Sequence, residues 1–412
     1  MQTFTGFEYL LIDACNQWGG DKLTFDKRLE WANVNLSQLE QLVATAENKP
    51  LYMKAVMAIR KAQKGLPTGH LVGFDAVCSG VQVMSALTGC IAGATATGLV
   101  DPNVRADAYS KTTEVMKGIL GTAVGVTRKQ AKEALMTSFY GSKAKPIEIF
   151  GEDTPELNAF YEAANIVAPG AWELLQDLLA SWQPMALVHA WKLPDGFDAR
   201  VKVMEKVEAR IEVDELDHAS FTYEFYENKR KMKGLSNVAN VVHSVDAYIL
   251  RSIHRRCNYD LEVFQRAAYL IEHELIHRSL GTPATWVEVT EEVIYYVEQY
   301  ERSGMADVVI VPHLTCGDMG YLTTKHLQAL AEIIEGMLQY KPFQVVTIHD
   351  EFKCHANNMN YLRMQYRNML AELAASNVLD DLLSQITGYQ GTFKKLSTTL
   401  PELIKGSNYA LC

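Results

Sequence analysis

Cysteine is sparse and poorly placed for cross-linking: the seven residues, at 15, 78, 90, 257, 316, 354 and 412, are odd in number, widely scattered, and form no CxxC pair. Structural disulfides and cysteine-rich zinc sites are therefore not expected, and a reducing cytoplasm is the compartment that fits. No apolar run reaches the roughly 20 residues that a membrane-spanning helix needs, and the chain does not open on a basic-then-apolar signal sequence. Positive charge is short overall. The formal net charge of −10 argues against a protein that coats nucleic acid indiscriminately, although net charge says nothing about local fields. With 412 residues, 48% of them hydrophobic, the chain can bury a large core and divide it into two or three subdomains.

The charge is unevenly distributed. From Lys111 to Lys145 seven Lys or Arg stand against Glu114 and Glu133, and a second basic cluster runs through Lys229, Arg230, Lys231 and Lys233 to Arg251, Arg255 and Arg256. Asn258 to His313 holds ten acidic residues against three arginines. The acidity is thus concentrated in a separable segment, which leaves the middle of the chain basic enough to hold a polyanion.

Within the basic region, VTRKQAKEALMTSFYGS (126–142) reads as a helix stopped by Gly141. Arg128, Lys132, Met136 and Tyr140 recur every four residues, a spacing that drifts by only about 40° per step and keeps all four within one wide face. Two cations followed by an aromatic ring suit a triphosphate followed by a base and sugar; an exposed amphipathic helix is the plainer alternative. Upstream, the first seventy residues read as helices, with Phe25 to Ala46 as one of them. HLVGFD (70–75) is a short apolar run that delivers Asp75 to its end, and the small residues of AVCSG follow. Downstream, Phe343 to Ile348 is strand-like and turns at His349-Asp350 into Glu351-Phe352-Lys353. Taken singly, each aspartate could serve only a turn. Taken together, two aspartates able to converge on hard divalent cations, with a lysine at hand for a leaving pyrophosphate, are the parts of in-line phosphoryl transfer by two metals. Magnesium is the ion that prefers such oxygens.

At these residues the chain resembles the bacteriophage-type single-subunit DNA-dependent RNA polymerases, the family that includes the mitochondrial enzyme. FDAVCSGVQVMSA (74–86) is similar to the family's first catalytic motif, VTRKQAKEALMTSFYGS to its fingers-helix motif, and TIHDEF (347–352) to its third. WKLPDGF (191–197), NVVHSVDA (240–247), NQWGGDKLTFDKRLEW (16–31) and the terminal NYALC also resemble family segments. Position by position, the resemblance makes Asp75 and Asp350 the metal-binding aspartates. It gives Arg128 and Lys132 the incoming triphosphate, with Lys132 as proton donor to pyrophosphate. Tyr140 would sit beside the new base pair and sense the ribose, His243 would approach the same sugar or the primer end, and His349 would accompany Asp350. The implied cofactor is two Mg²⁺ ions; the implied partners are a DNA template, nascent RNA and ribonucleoside triphosphates, with no membrane and, for a phage protein, the bacterial host cytoplasm as location.

Family-A DNA polymerases share these motifs, and IHDEF, with Glu351, is even closer to theirs. Two positions point away from them. Five residues after its catalytic aspartate that family carries a glutamate that collides with a 2′-hydroxyl, and here Gly80 stands there; four residues after the helix lysine it carries an aromatic, and here Met136 stands there. Room at the sugar favours ribonucleotides.

Only 74 residues precede Asp75, and no Gly-Arg pair occurs. The expectation is a chain without thumb or N-terminal promoter-binding domain, the larger, catalytic half of a split two-subunit polymerase, with a second polypeptide supplying the rest. From His243 to Asp350 lie 107 positions, far more than the family's short link, so the acidic segment reads as an outward-projecting insertion. It is a candidate dock for the companion or for a single-stranded-DNA-binding cofactor. Residues 199–233 fall where relatives place a promoter-reading hairpin, and the alternation at Phe221, Tyr223 and Phe225 supports a strand. The expected fold is α+β and helix-rich: a right-hand palm and fingers around a small antiparallel palm sheet. Its segments are palm 1–95, fingers 96–242 with the specificity-type hairpin, palm 243–257, acidic helical insertion 258–340, and palm plus C-terminal foot 341–412.

Two competing readings remain. HELIH (273–277) fits the zinc-protease signature, with Glu291 or Glu292 as a third ligand, but Leu261, Phe264, Ala268, Ile271 and Leu275 form an apolar seam that leaves both histidines on the solvated face. The other is a catalytically dead scaffold subunit, since fold does not ensure activity.

Overall fold

The structure is a computed structural model that describes residues 1–121, 125–283 and 289–412. Residues 122–124 of the expected fingers and 284–288 of the expected insertion, Glu288 among them, lie outside the described residues. Helices dominate, and the described strands form three small antiparallel sheets. No helix among the described residues is long and apolar enough to cross a membrane.

One sheet joins parts of the chain almost 300 residues apart. Strand β1 (Leu71–Asp75) pairs with β7 (Glu351–His355), and β7 pairs with β6 (Val346–Ile348). In β1 the period-two pattern buries Val72 and Phe74 and turns Asp75 outward. Around this sheet pack the helices Gly6–Cys15, Ser79–Thr88, Ser236–Cys257 and Met359–Ala375. The Ser79–Thr88 helix is buried on every side, as its small and apolar residues allow. Gly6–Cys15 starts from a reciprocal cap in which Thr5 and Glu8 satisfy each other's backbone N–H groups. The single helix expected over Phe25 to Ala46 is instead an α-helix, Phe25–Asn35, followed by a 3₁₀ stretch, Leu36–Thr45, with a break at Gln38. Hydrophobic spacing alone does not distinguish these two states.

Strands β2 (Val188–Lys192) and β3 (Asp198–Lys202) form a second sheet, and β4 (Met204–Val213) and β5 (Ala219–Asn228) a third, ten residue pairs long. A hairpin from Met204 to Asn228 thus lies within the 199–233 segment.

The acidic segment is not an outward projection. Its helices Leu261–Ser279, Glu291–Ser303 and Thr324–Leu338 bury Phe264, Ile271, Val297, Leu327, Leu330 and Ile334. Polar ties fix it to the body: Arg255 donates to both Asp307 and Asp195, the Tyr295 hydroxyl to the Gly196 carbonyl at 3.0 Å, and the Asn377 backbone N–H to the Ser303 carbonyl at 2.7 Å. Charge composition suggested an appendage because acids are usually solvated. Here Asp307 and Glu274 are buried, each neutralised by an arginine.

Candidate active site

Sheet register brings the two sequence-distant aspartates together. Asp75 ends β1 directly opposite Glu351 of β7, and the Ala76 backbone N–H donates to the Asp350 carbonyl at 3.2 Å. His349 and Asp350 form the two-residue turn between β6 and β7, with His349 in the left-handed region at φ 55°. Cys78, at the start of the Ser79–Thr88 helix, is also left-handed, at φ 58°. Such backbone costs about 1–3 kcal/mol for a non-glycine residue and is concentrated at functional sites. Gly73 has a steric reason: a Cβ there would lie 2.3 Å from the Glu351 Oε1, so only glycine lets that carboxylate lie across β1, where Lys353 meets it at 2.9 Å. The surrounding protein, then Glu351 and then Asp350, push the Asp75 carboxyl up to about 6, while Lys353 and Lys22 pull the other way.

Opposite this acidic wall stands the cationic helix, Arg128–Ser138. Thr127 and Gln130 cap its start reciprocally, while Ala131, Ala134, Leu135 and Ser138 form its buried face. Arg128, Lys132 and Met136 line a cavity of about 730 Å³ that also contains Asp75, Asp350 and Glu351. The Arg128 Nε donates to Asp107 at 2.6 Å, and the Lys132 ammonium lies 5.7 Å from the centre of the Tyr109 ring. Arg128 therefore has a carboxylate partner that fixes its direction, while Lys132 is in no ion pair among the described residues. Cations at a helix N-terminus reinforce the positive end of its dipole, an arrangement suited to an anion.

The helix ends earlier than the four-residue spacing implied. Phe139 caps it, Gly141 turns at φ 87°, and Tyr140 lies in the turn beyond. Tyr140 consequently faces a second cavity, of about 500 Å³, with Gly80, His243, Asp246, His349 and Asp350. The two cavities share Cys78, Tyr109, Met136 and Asp350 and so meet at the aspartate. Tyr140 and His243 stack with centroids 4.5 Å apart and planes within 7°. Burial lowers the His243 pKa, which favours the neutral imidazole. A Cβ on Gly80 would come within 2.8 Å of the Tyr140 Oη, so the space that glycine leaves is occupied by this hydroxyl.

All eight residues singled out in the sequence line one or other of these adjoining cavities: Asp75, Asp350, Lys132 and Arg128 the first, and Tyr140, Gly80, His243 and His349, again with Asp350, the second. Four further participants were not singled out. Asp246 sits one helical turn after His243, and burial, then Asp350, push its carboxyl up to about 6. Its presence in NVVHSVDA was the available signal. Asp107 and Tyr109, which brace Arg128 and Lys132, carried no motif, and Cys78 was visible only as a small residue.

The donor set suits a hard divalent ion: carboxylate oxygens gather in one cleft, and Glu351 and Asp350 raise the proton affinity of Asp75. Among the described residues the one trio of ligand-type groups within 4.8 Å of one another is Glu212, Asp214 and His218, exposed at the tip of the β4–β5 hairpin, so the cleft acids would need oxygens from outside, such as phosphates, to complete a shell. His273 and His277 do not join such a trio either. Glu274, the would-be general base of HELIH, is buried and held by Arg278 at 2.6 Å.

Residues 2–149 match the family described as DNA-dependent RNA polymerase, a span that includes Asp75, Gly80, Arg128, Lys132 and Tyr140. The chain is also similar to the DNA-directed RNA polymerase of Pseudomonas phage phiKMV, 25% identical over 344 residues, covering 69% of this chain and 41% of that relative. It thus spans about two fifths of the relative's length. The resemblance to phage-type RNA polymerases, first drawn from separate motifs, is borne out by these similarities.

Proposed function

We propose that this chain carries the nucleotidyl-transfer centre of a phage-type RNA polymerase, extending RNA on a DNA template from ribonucleoside triphosphates. The observation that carries this reading is the meeting of an acidic and a cationic wall across one cleft: Asp75 at the end of β1 and Asp350 in the β6–β7 turn, Arg128 and Lys132 on the facing helix. Asp75 and Asp350 would hold two Mg²⁺ ions, which when bound supply charge neutralisation and activation of the attacking hydroxyl. Arg128, steadied by Asp107, and Lys132 draw the triphosphate to the helix N-terminus, and Lys132 can pass a proton to the departing pyrophosphate. The Tyr140–His243 stack offers an aromatic floor and a neutral imidazole for sugar and base, with Gly80 fixing how close the tyrosine approaches. His349 orients the turn that carries Asp350.

In this reading the chain is the catalytic subunit of a heterodimer, and a second polypeptide provides the thumb and N-terminal functions. The insertion, 258–340, offers that companion or a single-stranded-DNA-binding cofactor a firmly seated surface.

Extension of a primed DNA template, by the chain alone and with a candidate companion, tests the proposal. Ribonucleotides should be incorporated in preference to deoxyribonucleotides, and Asp350→Ala should lower addition at least ~10³-fold, about 4 kcal/mol of barrier, with template binding retained. Synthesis by Asp350→Ala near the unmodified rate would refute the assignment, and preference for deoxyribonucleotides would refute the substrate class.

A further inference from the structure

The β4–β5 ribbon has a sidedness that its position in the chain does not explain. The register pairs Val207 with Phe225, Ala209 with Tyr223, Ile211 with Phe221 and Val213 with Ala219. Because alternate residues of a strand share a face, these eight apolar side chains lie together on one side of the ribbon. The other side carries Lys206, Glu208, Arg210, Glu212, Glu224 and Tyr226. Such alternation belongs to a strand pair that buries one face. Yet none of the eight belongs to the hydrophobic core or packs against it, and Ile211, Phe221 and Tyr223 are 39%, 52% and 43% exposed. At the base of the ribbon the Asn228 side chain donates to the Leu187 and Val203 carbonyls and the Lys229 backbone N–H to the Val203 carbonyl.

A two-stranded ribbon is at best marginally stable by itself, and an uncovered apolar face marks a docking surface. Charge decides what docks. Between Met204 and Asn228 eight acidic residues face two cations, a formal −6. Lys229, Arg230, Lys231 and Lys233 follow at the base of the ribbon, but along its own length the acidic field repels nucleic acid, as it does a second copy of the same ribbon. We propose that the apolar face of residues 204–228 is a protein-docking surface whose occupant is a separate polypeptide with an apolar strip rimmed by lysine or arginine. The free edges of β4 and β5 allow that occupant to add as a further strand, with main-chain hydrogen bonds supplying affinity and the acidic rim supplying selection. This role is independent of whether the chain polymerises nucleotides.

The test uses the full chain and a fluorescent twelve-residue peptide of alternating lysine and valine, with an alternating glutamate and valine peptide and a fluorescent DNA duplex as the other arms. One variant, Phe221→Ser/Tyr223→Ser/Phe225→Ser, removes the apolar face outside the core; a second, Glu208→Lys/Glu224→Lys, reverses charge without touching it. The lysine peptide should bind the unmodified chain, at least tenfold more weakly to either variant, and more weakly in high salt. The glutamate peptide should not bind, and duplex affinity should not fall in the serine variant. Equal binding of the lysine peptide to the unmodified chain and the charge-reversed variant overturns the proposal, as does loss of duplex binding confined to the serine variant. A dimer of the unmodified chain in sedimentation that the serine variant abolishes also overturns it, because the occupant would then be a second copy.

Discussion

Two sets of carboxylates in this chain receive opposite electrostatic treatment. Asp195 and Asp307 are buried where the insertion meets the body, and arginines answer both: Arg251 and Arg255 donate to Asp195, and Arg255 grips Asp307 at 2.9 Å through two nitrogens. Burial alone would raise Asp307, yet Arg255 and Arg256 hold it below the usual carboxylate range. In the cleft, Asp75 and Asp246 are pushed up to about 6 by surrounding protein and by acidic neighbours. Of the cations nearby, Lys353 is committed to Glu351 and Arg128 to Asp107, while Lys132 on the facing helix is in no ion pair among the described residues. The fold thus has the means to neutralise buried acids and uses them at Asp195 and Asp307, whereas at Asp75 and Asp246 it does not.

The contrast breaks most visibly where a paired acid is removed. Asp307→Ala leaves Arg255 with Asp195 as its remaining carboxylate and takes an acceptor from the Val309 backbone N–H. A loss of about 3–5 kcal/mol in unfolding free energy is expected, the range for breaking one partner out of a buried pair. Urea unfolding monitored by circular dichroism measures it; a loss below about 0.5 kcal/mol would mean that the insertion is only laid against the body.

The same contrast explains what could be read from the sequence. Both aspartates of the cleft, the helix cations and the aromatic were legible because each sits in a local motif whose residue types state their chemistry. Their convergence was legible only through resemblance, since the register that sets Asp75 opposite Glu351 is a tertiary fact. The seating of the insertion was not legible at all. Asp307, Arg255 and Asp195 lie far apart in sequence, and an acid-rich composition reads as a solvated surface until its partners are known. Tyr140 shows a subtler limit: periodicity placed it on the helix, but the chain leaves the helix at Ser138 and the ring enters a different cavity.

An acid without a cation should behave in the opposite way. A carboxyl whose folded pKa is raised contributes stability that is complete below its unfolded value, near 3.8, and is lost as pH rises through about 6. At pH 8 the ionised Asp246 therefore weighs against folding. The full shift corresponds to about 3 kcal/mol, and partial solvation reduces that to about 1–2 kcal/mol. Asp246→Asn should stabilise the protein by this amount at pH 8, with the gain fading between about pH 6 and pH 4. Thermal unfolding across that range decides it; a variant that is destabilised equally at pH 4 and pH 8 would show that Asp246 is held by its hydrogen bonds and not penalised by its charge.

The smallest effect is the sharpest, because it asks directly for the cation proposed to bind Asp75 and Asp350. An ion that binds the folded chain alone stabilises it by RT ln(1 + [L]/Kd), about 1.4 kcal/mol at ten times Kd. At pH 8, adding Mg²⁺ after chelation should raise the melting temperature through Asp75 and Asp350, and the rise should shrink toward pH 5 as protons compete for the Asp75 oxygens. Asp350→Ala should abolish the rise. The exposed Glu212, Asp214 and His218 provide the internal control, since they too could gather an ion: Asp214→Asn should leave the rise intact. A Mg²⁺-dependent shift that survives in Asp350→Ala and vanishes in Asp214→Asn would move the ion to the ribbon tip. The cleft's negative charge would then have no counterpart, and the distinction between acids neutralised by the protein and acids reserved for a metal would fail.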